Sequence, residues 1–202
     1  LREADAAGSL THPDIVEIKE SGEHEGIVYL AMEYVEGVNL GMHATEGRLL
    51  PPRLVAEMCA RVADALYFAH QRGIIHRDIK PANVFIHRGP EAEQVKLVDF
   101  GLVKLPDPAH LGAEQPTEHG LLSGTPAFVA PERWRQASCT GASDVYSLGC
   151  VLYEMLTGRP PFTGNTPEEL MGAQVASLFA EAAAAAPVPP AAARRATNIR
   201  KH

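Results

Sequence analysis

The sequence predicts an α+β fold in which a mainly helical part dominates and a smaller part carries the first strands. Three observations predict it. Runs rich in β-branched and aromatic residues stand near the start, at Ile15 to Lys19 and Ile27 to Val35. From Pro51 to Gly73, Leu54, Met58, Val62, Leu66 and Ala69 recur at three- and four-residue steps, the period of one helix face. Further on, Val145, Leu148, Val151, Leu152 and Met155 repeat that pattern within apolar flanks.

In chain order, residues 1 to 10 suit a helix, with alanines behind a Leu-Arg-Glu start. Thr11-His12-Pro13-Asp14 ends it, because Pro disfavours helical geometry in the residue before it. The two strand-like runs lie either side of Gly22 to Gly26 and read as an antiparallel pair. Pro52 falls just inside the first long helix and Gly73 just past its end, where a missing N–H and a left-handed stop are each favoured. Val84 to Ile86 and Val95 to Val98 bracket Gly89-Pro90 and read as a hairpin. Residues 102 to 125 show no period and read as a long loop, a length typical of functional or disordered segments. Gly158 and Pro160-Pro161 stop the second long helix, whose apolar flanks mark it as buried. A short helix is expected after Thr166-Pro167, through Leu178. Beyond it the alanine- and proline-rich end has little core-forming power. The expected division is 1–35, 36–178 and a disordered tail over 179–202.

With 46% hydrophobic and 21% charged residues, the 202-residue chain has the make-up of a globular protein with one substantial core. Eighteen basic against 25 acidic residues leave a net charge of −7, which argues against nonspecific nucleic-acid binding. Cys59, Cys139 and Cys150 are odd in number and form no CxxC, so they read as small buried residues in a reducing compartment. No apolar stretch reaches the ~18 residues that span a bilayer. The chain opens Leu1-Arg2-Glu3 without an initiator Met and reads as a piece of a longer protein.

The most informative segment is His76-Arg77-Asp78-Ile79-Lys80-Pro81-Ala82-Asn83, followed downstream by Asp99-Phe100-Gly101. Phosphoryl transfer needs a carboxylate to orient a hydroxyl nucleophile, a cation for the moving phosphoryl group and oxygen ligands for Mg²⁺. Asp78, Lys80, Asn83 and Asp99 supply that set.

These residues, with "GTPAFVAPE" and "SDVYSLGCVLYEMLTGRPPF", resemble the protein kinases, closest to the eukaryotic-like Ser/Thr kinases of bacteria. Four motifs stand in family order and at family spacing. The resemblance implies a protein-kinase-like fold: a large helical lobe, preceded by helix C and the last strands of a small lobe. It implies ATP- and Mg²⁺-dependent transfer to Ser or Thr of protein substrates in the cytoplasm, with any membrane anchor outside these residues. On that resemblance Asp78 is the catalytic base, and Lys80 faces the γ-phosphoryl oxygens and bridges Asp78 to Thr125. Asn83 and Asp99 are the Mg²⁺ ligands. Glu33 and Val35 read adenine through their backbone, with Met32 as gatekeeper, Asn39 at the ribose and Phe85 beneath the ring. Glu3 matches the helix Glu that pairs with the nucleotide-binding lysine, and Asp144 the buried Asp that holds the catalytic-loop backbone. His76 and Phe100 stack with Ala7 and Ile18 in a hydrophobic column. Arg77 docks a phosphorylated loop, for which Thr117 is the expected site, with Ser123 and Thr125 as the other hydroxyls.

The quoted resemblance runs from Glu3 to about Gly164. The 202 residues hold neither a Gly-rich phosphate loop nor the V-A-I-K lysine, so by themselves they are expected to be weak or inactive. No later "KDPxxRP" segment supplies the Arg that Glu132 pairs with in the family, which predicts a buried carboxylate without its cation. Two other readings compete. A pseudokinase-like binding module is disfavoured by the intact Asp78, Lys80, Asn83 and Asp99. A small-molecule phosphotransferase on the same fold is disfavoured by "GTPAFVAPE", in the family the peptide-docking segment.

Overall fold

The computed structural model describes residues 8, 10–25, 27–45, 47–88, 93–100, 126–134, 139–164 and 166–185. Strands β1 (Ile18–His24) and β2 (Ile27–Met32) form the antiparallel pair that the sequence predicts, but in a later register. Ile18 opens β1, and pairing continues through Gly22 to His24, where a loop was expected. The turn is tight because Glu25 takes φ 52°. Gly22 keeps β1 extended beside a large neighbour, since a Cβ there would stand 2.7 Å from the Tyr29 hydroxyl. That hydroxyl donates to Glu20 at 2.6 Å.

Ile15 has a different task from the one its alternation suggests. It forms a single parallel bridge with Leu97. Leu97 N donates to Asp14 O at 2.8 Å and Val16 N to Leu97 O at 2.9 Å. These bonds stitch the first strand pair to a second sheet of order β3-β4-β5, made of β3 (Gly37–Asn39), β4 (Val84–Arg88) and β5 (Glu93–Leu97). The β4–β5 hairpin is the predicted one. β3, at three residues, is too short to show alternation. It packs so closely that a Cβ on Gly37 would lie 2.0 Å from Ile86 O.

Helix α1 (Pro52–His70) starts at the expected proline, and Gly73 follows it at φ 72°. Its buried stripe is wider than the predicted one, adding Val55, Cys59 and Ala65 while Leu54 is only half-buried. A short α2 (Pro131–Trp134) precedes α3 (Gly141–Thr157), whose start is fixed by a reciprocal Thr140–Ser143 capping box and whose end is the left-handed Gly158. α3 is not buried all round, as its apolar flanks suggested. Leu148, Val151 and Met155 face the core against α1, but Val145 is 62% exposed. Helix α4 (Pro167–Ala185) runs seven residues past its expected end at Leu178, because the alanines there are strong helix formers. The expected helix over residues 1–10 falls almost wholly outside the described residues; the loop at 102–125 and the rest of the tail, 186–202, fall wholly outside.

Cys59 and Cys150 are buried and unpaired, and burial pushes each thiol up to about 11. These two are buried as expected, whereas Cys139, expected to be buried as well, is only half-buried. Among the described residues no helix is long and apolar enough to cross a membrane.

Leu66, 1% exposed in the centre of α1, tests this core. Leu66→Ala is expected to lower unfolding free energy by about 2–5 kcal/mol in urea titration. A loss under about 1 kcal/mol would contradict the packing described.

Candidate active site

The first turn of α3 carries Asp144 into the interior, where it is 1% exposed. A buried carboxylate is tolerated only when fully hydrogen-bonded. Asp144 takes the backbone N–H of His76 on Oδ2 and that of Arg77 on Oδ1, both at 2.8 Å. His70 Nε2, from the last turn of α1, donates to Oδ2 at 2.8 Å. These bonds hold Arg77 at φ 69°, a left-handed conformation that disfavours a side-chain-bearing residue by about 1–2 kcal/mol.

His76 is fully buried beside it. Its Nε2 donates to Val98 O at 2.9 Å and its Nδ1 accepts the Asp78 N–H at 3.3 Å, which fixes one neutral tautomer. Burial pushes its pKa below the usual 6.5, outweighing the attraction of Asp144. The ring lies 4.6 Å from that of Phe100, tilted by 46°. Phe100 in turn shares a small internal cavity with Ile18, Met32 and Asp99. Of the predicted column, His76 and Phe100 are in ring contact and Ile18 lines the same cavity as Phe100; Ala7 lies outside the described residues.

Below this buried layer the polar groups converge. Lys80 Nζ donates to Asp78 Oδ2 at 2.7 Å. Asn83 Nδ2 donates to Asp78 O at 2.8 Å and to Oδ2 at 3.2 Å. Asp78 Oδ1 is the oxygen that neither neighbour takes. Val98 N donates to Asn83 O at 3.0 Å, so Asp99 follows one residue after a backbone bond to Asn83. Asp99 is exposed and left-handed, at φ 59°.

These donors fit Mg²⁺. With its Nδ2 spent on Asp78, Asn83 offers Oδ1, and Asp99 offers an exposed carboxylate. Both are hard oxygens of the kind Mg²⁺ combines with phosphate and water. Among the described residues no group of three or more His, Cys, Asp or Glu forms a self-sufficient metal cluster.

At the expected adenine side, Glu33 N donates to Glu17 O at 2.8 Å. The Glu33 carboxylate accepts Glu17 N at 2.9 Å and Lys96 Nζ at 2.6 Å, and Lys96 also donates to Ile15 O at 3.2 Å. Burial pushes Glu33 up, but the Lys96 and Glu17 bonds outweigh it and hold the carboxyl below its usual value. The side chain therefore joins the two sheets, a role that strand alternation does not signal. Val35 follows, half-buried, and Asn39 lies directly opposite Phe85 across β3 and β4.

Residues 126–134 are tied down by side chains. Ser147 Oγ donates to Phe128 O at 2.7 Å and Gln174 Nε2 to Val129 O at 2.9 Å. Glu132 is half-buried rather than fully buried as predicted, and in place of the family's Arg its carboxylate accepts the Ser143 hydroxyl at 2.6 Å. Arg133 Nη1 donates to Arg77 O. His70, Lys96, Arg133 and Gln174 had not been singled out from sequence, because each acts on a partner distant along the chain. Glu3, Thr117, Ser123 and Thr125 lie outside the described residues.

Asp144→Ala strands two buried N–H groups at about 1–3 kcal/mol each, so a loss of about 2–6 kcal/mol is expected in denaturant titration. His76 supplies a pH test. The unfolded chain binds its proton near 6.5 and the folded chain only below that. Its stability is therefore fully present above the unfolded value and falls as pH drops toward the folded one, by about 1.4 kcal/mol per pH unit. His76→Gln should be less steep than the parent as pH falls below 6.5; equal slopes would refute the burial of a neutral ring.

Comparison with known proteins agrees with this geometry. Residues 1–198 match the family described as Protein kinase domain, extending past Gly164, where the quoted motifs end. The chain is 45% identical over 172 residues to serine/threonine-protein kinase PknB of Mycobacterium tuberculosis (strain ATCC 25177 / H37Ra), covering 82% of this chain and 26% of that protein. It is 41% identical over 170 residues to a probable serine/threonine-protein kinase, SCO3848, of Streptomyces coelicolor, covering 82% and 24%. The chain thus spans about a quarter of the length of these curated relatives. Among solved structures, Rad53 1-466 in complex with AMP-PNP superposes with TM-score 0.67 at 32% identity, covering 85% of this chain and 41% of that one. The Mycobacterium tuberculosis PknI kinase domain gives 0.63 at 30% identity, covering 84% and 62%.

Proposed function

The chain belongs to the protein kinase family, among relatives named as bacterial Ser/Thr kinases, and we propose that the protein transfers the γ-phosphoryl group of ATP to Ser and Thr hydroxyls of protein substrates. The observation that carries this reading is the hydrogen-bonded set Asp78–Lys80–Asn83, with Asp99 one residue after the Val98–Asn83 bond.

Asp78 is the catalytic base. With Oδ2 engaged by Lys80 and Asn83, Oδ1 accepts the hydrogen bond of the substrate hydroxyl and aims its oxygen. That positioning is most of the catalysis, because the transition state of phosphoryl transfer is loose. Lys80 keeps its ammonium at the base, where it also meets the charge of the moving phosphoryl group and, outside the described residues, Thr125. Asn83 Oδ1 and Asp99 would hold Mg²⁺, which when bound would supply positive charge against the phosphates. Glu33 and Val35 read adenine with Met32 behind them, Asn39 meets the ribose and Phe85 floors the ring. Glu3 pairs with a lysine that the 202 residues do not contain, so these residues alone transfer slowly. Arg77 docks a phosphorylated Thr117. The chain divides into small-lobe residues 1–35, large-lobe residues 36–178 and a tail, and works in the cytoplasm.

A binding-only module has no use for two polar side chains held about one carboxylate. Anchored carbonyls in 126–134 support a peptide acceptor over a small molecule.

In the full-length protein, Asp78→Asn is expected to lower kcat for a generic Ser/Thr protein substrate by about 10²–10⁴-fold. ATP binding by calorimetry should persist. Undiminished transfer by this variant would reject Asp78 as the base. Thr117→Ala, and phosphatase treatment of the parent, should both reduce activity; a fully active Thr117→Ala protein would remove the regulatory site.

A further inference from the structure

We propose that Arg133 is a positioning residue for phosphoryl transfer: its bond to Arg77 O sets the catalytic loop against the segment that docks the acceptor peptide. The proposal rests on the kinase reading of Asp78 and of residues 126–134.

Arg77 is the residue directly before the base, and it is held left-handed at φ 69°. Its N–H is fixed by Asp144 from α3. Its C=O, which begins the peptide bond to Asp78, accepts from Arg133 Nη1. The two sides of one strained residue are therefore clamped from two different elements. Asp144 alone fixes the entry to the loop; the orientation of the Arg77–Asp78 peptide also needs its oxygen held.

The other end of the clamp is rigid. Phe128 O and Val129 O, a few residues before Arg133, are taken by Ser147 and the fully buried Gln174. Glu132, next to Arg133, accepts from Ser143. A guanidinium on this anchored stretch transmits its position to Arg77 O with little play. The consequence is a shared register: the segment that places the acceptor hydroxyl and the carboxylate that must meet it move as one body. Misplacement by about 1 Å between such groups lowers rate by up to about 10²-fold.

The test compares Arg133→Met and Arg133→Lys with the parent in the full-length protein. Two readouts are taken: steady-state transfer to a protein substrate, and hydrogen exchange of the Arg77 and Asp78 amides. For Arg133→Met, kcat is expected to fall about 10–100-fold with KM for ATP within about twofold, and amide protection to fall about tenfold. Arg133→Lys, which keeps a donor and a charge, should recover part of both. The proposal is overturned if either readout matches the parent in Arg133→Met. It is also overturned if KM for ATP and melting temperature fail together with kcat, which marks a merely structural role. Should the parent itself show no transfer, the kinase reading falls, and the exchange readout alone decides the clamp.

Discussion

The Asp144 carboxylate is the constraint from which the rest of the site is built. An ionised group at 1% exposure is destabilising unless every strong acceptor direction is used. Here the partners are two backbone N–H groups and an imidazole, contributed by the catalytic loop and by α1. Satisfying one charge therefore fixes the relative position of three elements. Asp144 also lies in the first turn of α3, where the helix dipole favours a negative charge. Loop shape follows from this burial requirement, and the chemistry of Asp78 follows from loop shape.

From that anchor a division of labour runs outward. The buried layer is neutral and fixed: His76 is held in one tautomer between Val98 O and the Asp78 amide, against the Phe100 ring. The groups assigned to chemistry are more accessible. Side-chain exposure is 32% at Asp78 and 22% at Lys80, so their ion pair alone adds little to stability. Its value lies in orientation, because it commits one carboxylate oxygen and leaves the other for the hydroxyl of the proposed substrate. A titrating histidine in that layer would couple the site to pH; burial keeps the proton off it.

What was legible in the sequence follows the range of each interaction. The helices at 52–70 and 141–157 and the β4–β5 hairpin were readable because their signals are local: period, Pro and Gly. Asp78, Lys80, Asn83 and Asp99 were readable because the chemistry packs them into two short motifs. The start of β1 was misplaced because Ile15 is apolar for a distant reason, its bridge to Leu97. The exposed Val145 misled because apolarity does not report which neighbours cover a helix face. His70, Lys96, Arg133 and Gln174 stayed hidden for the same cause. Each donates across 45 to 81 positions of chain, and no spacing rule spans such distances.

Three residues other than glycine take positive φ among the described residues, and two of them, Arg77 and Asp99, sit at the site. Their strain is about 1–2 kcal/mol each. It is offset by bonds from elsewhere: Asp144 on Arg77 N, Arg133 on Arg77 O, and His76 and Asn83 on the two sides of Val98. A loop of this shape is then stable only while α3 and the 126–134 segment are packed in place. Asp78 and Asp99, the proposed base and the proposed metal-binding carboxylate, take up their geometry as consequences of folding the large helical part. Glycine at either position would remove the strain, and with it the need for those bonds. The loop would then keep its shape only loosely, and a base that must meet a hydroxyl within hydrogen-bond distance gains nothing from such freedom.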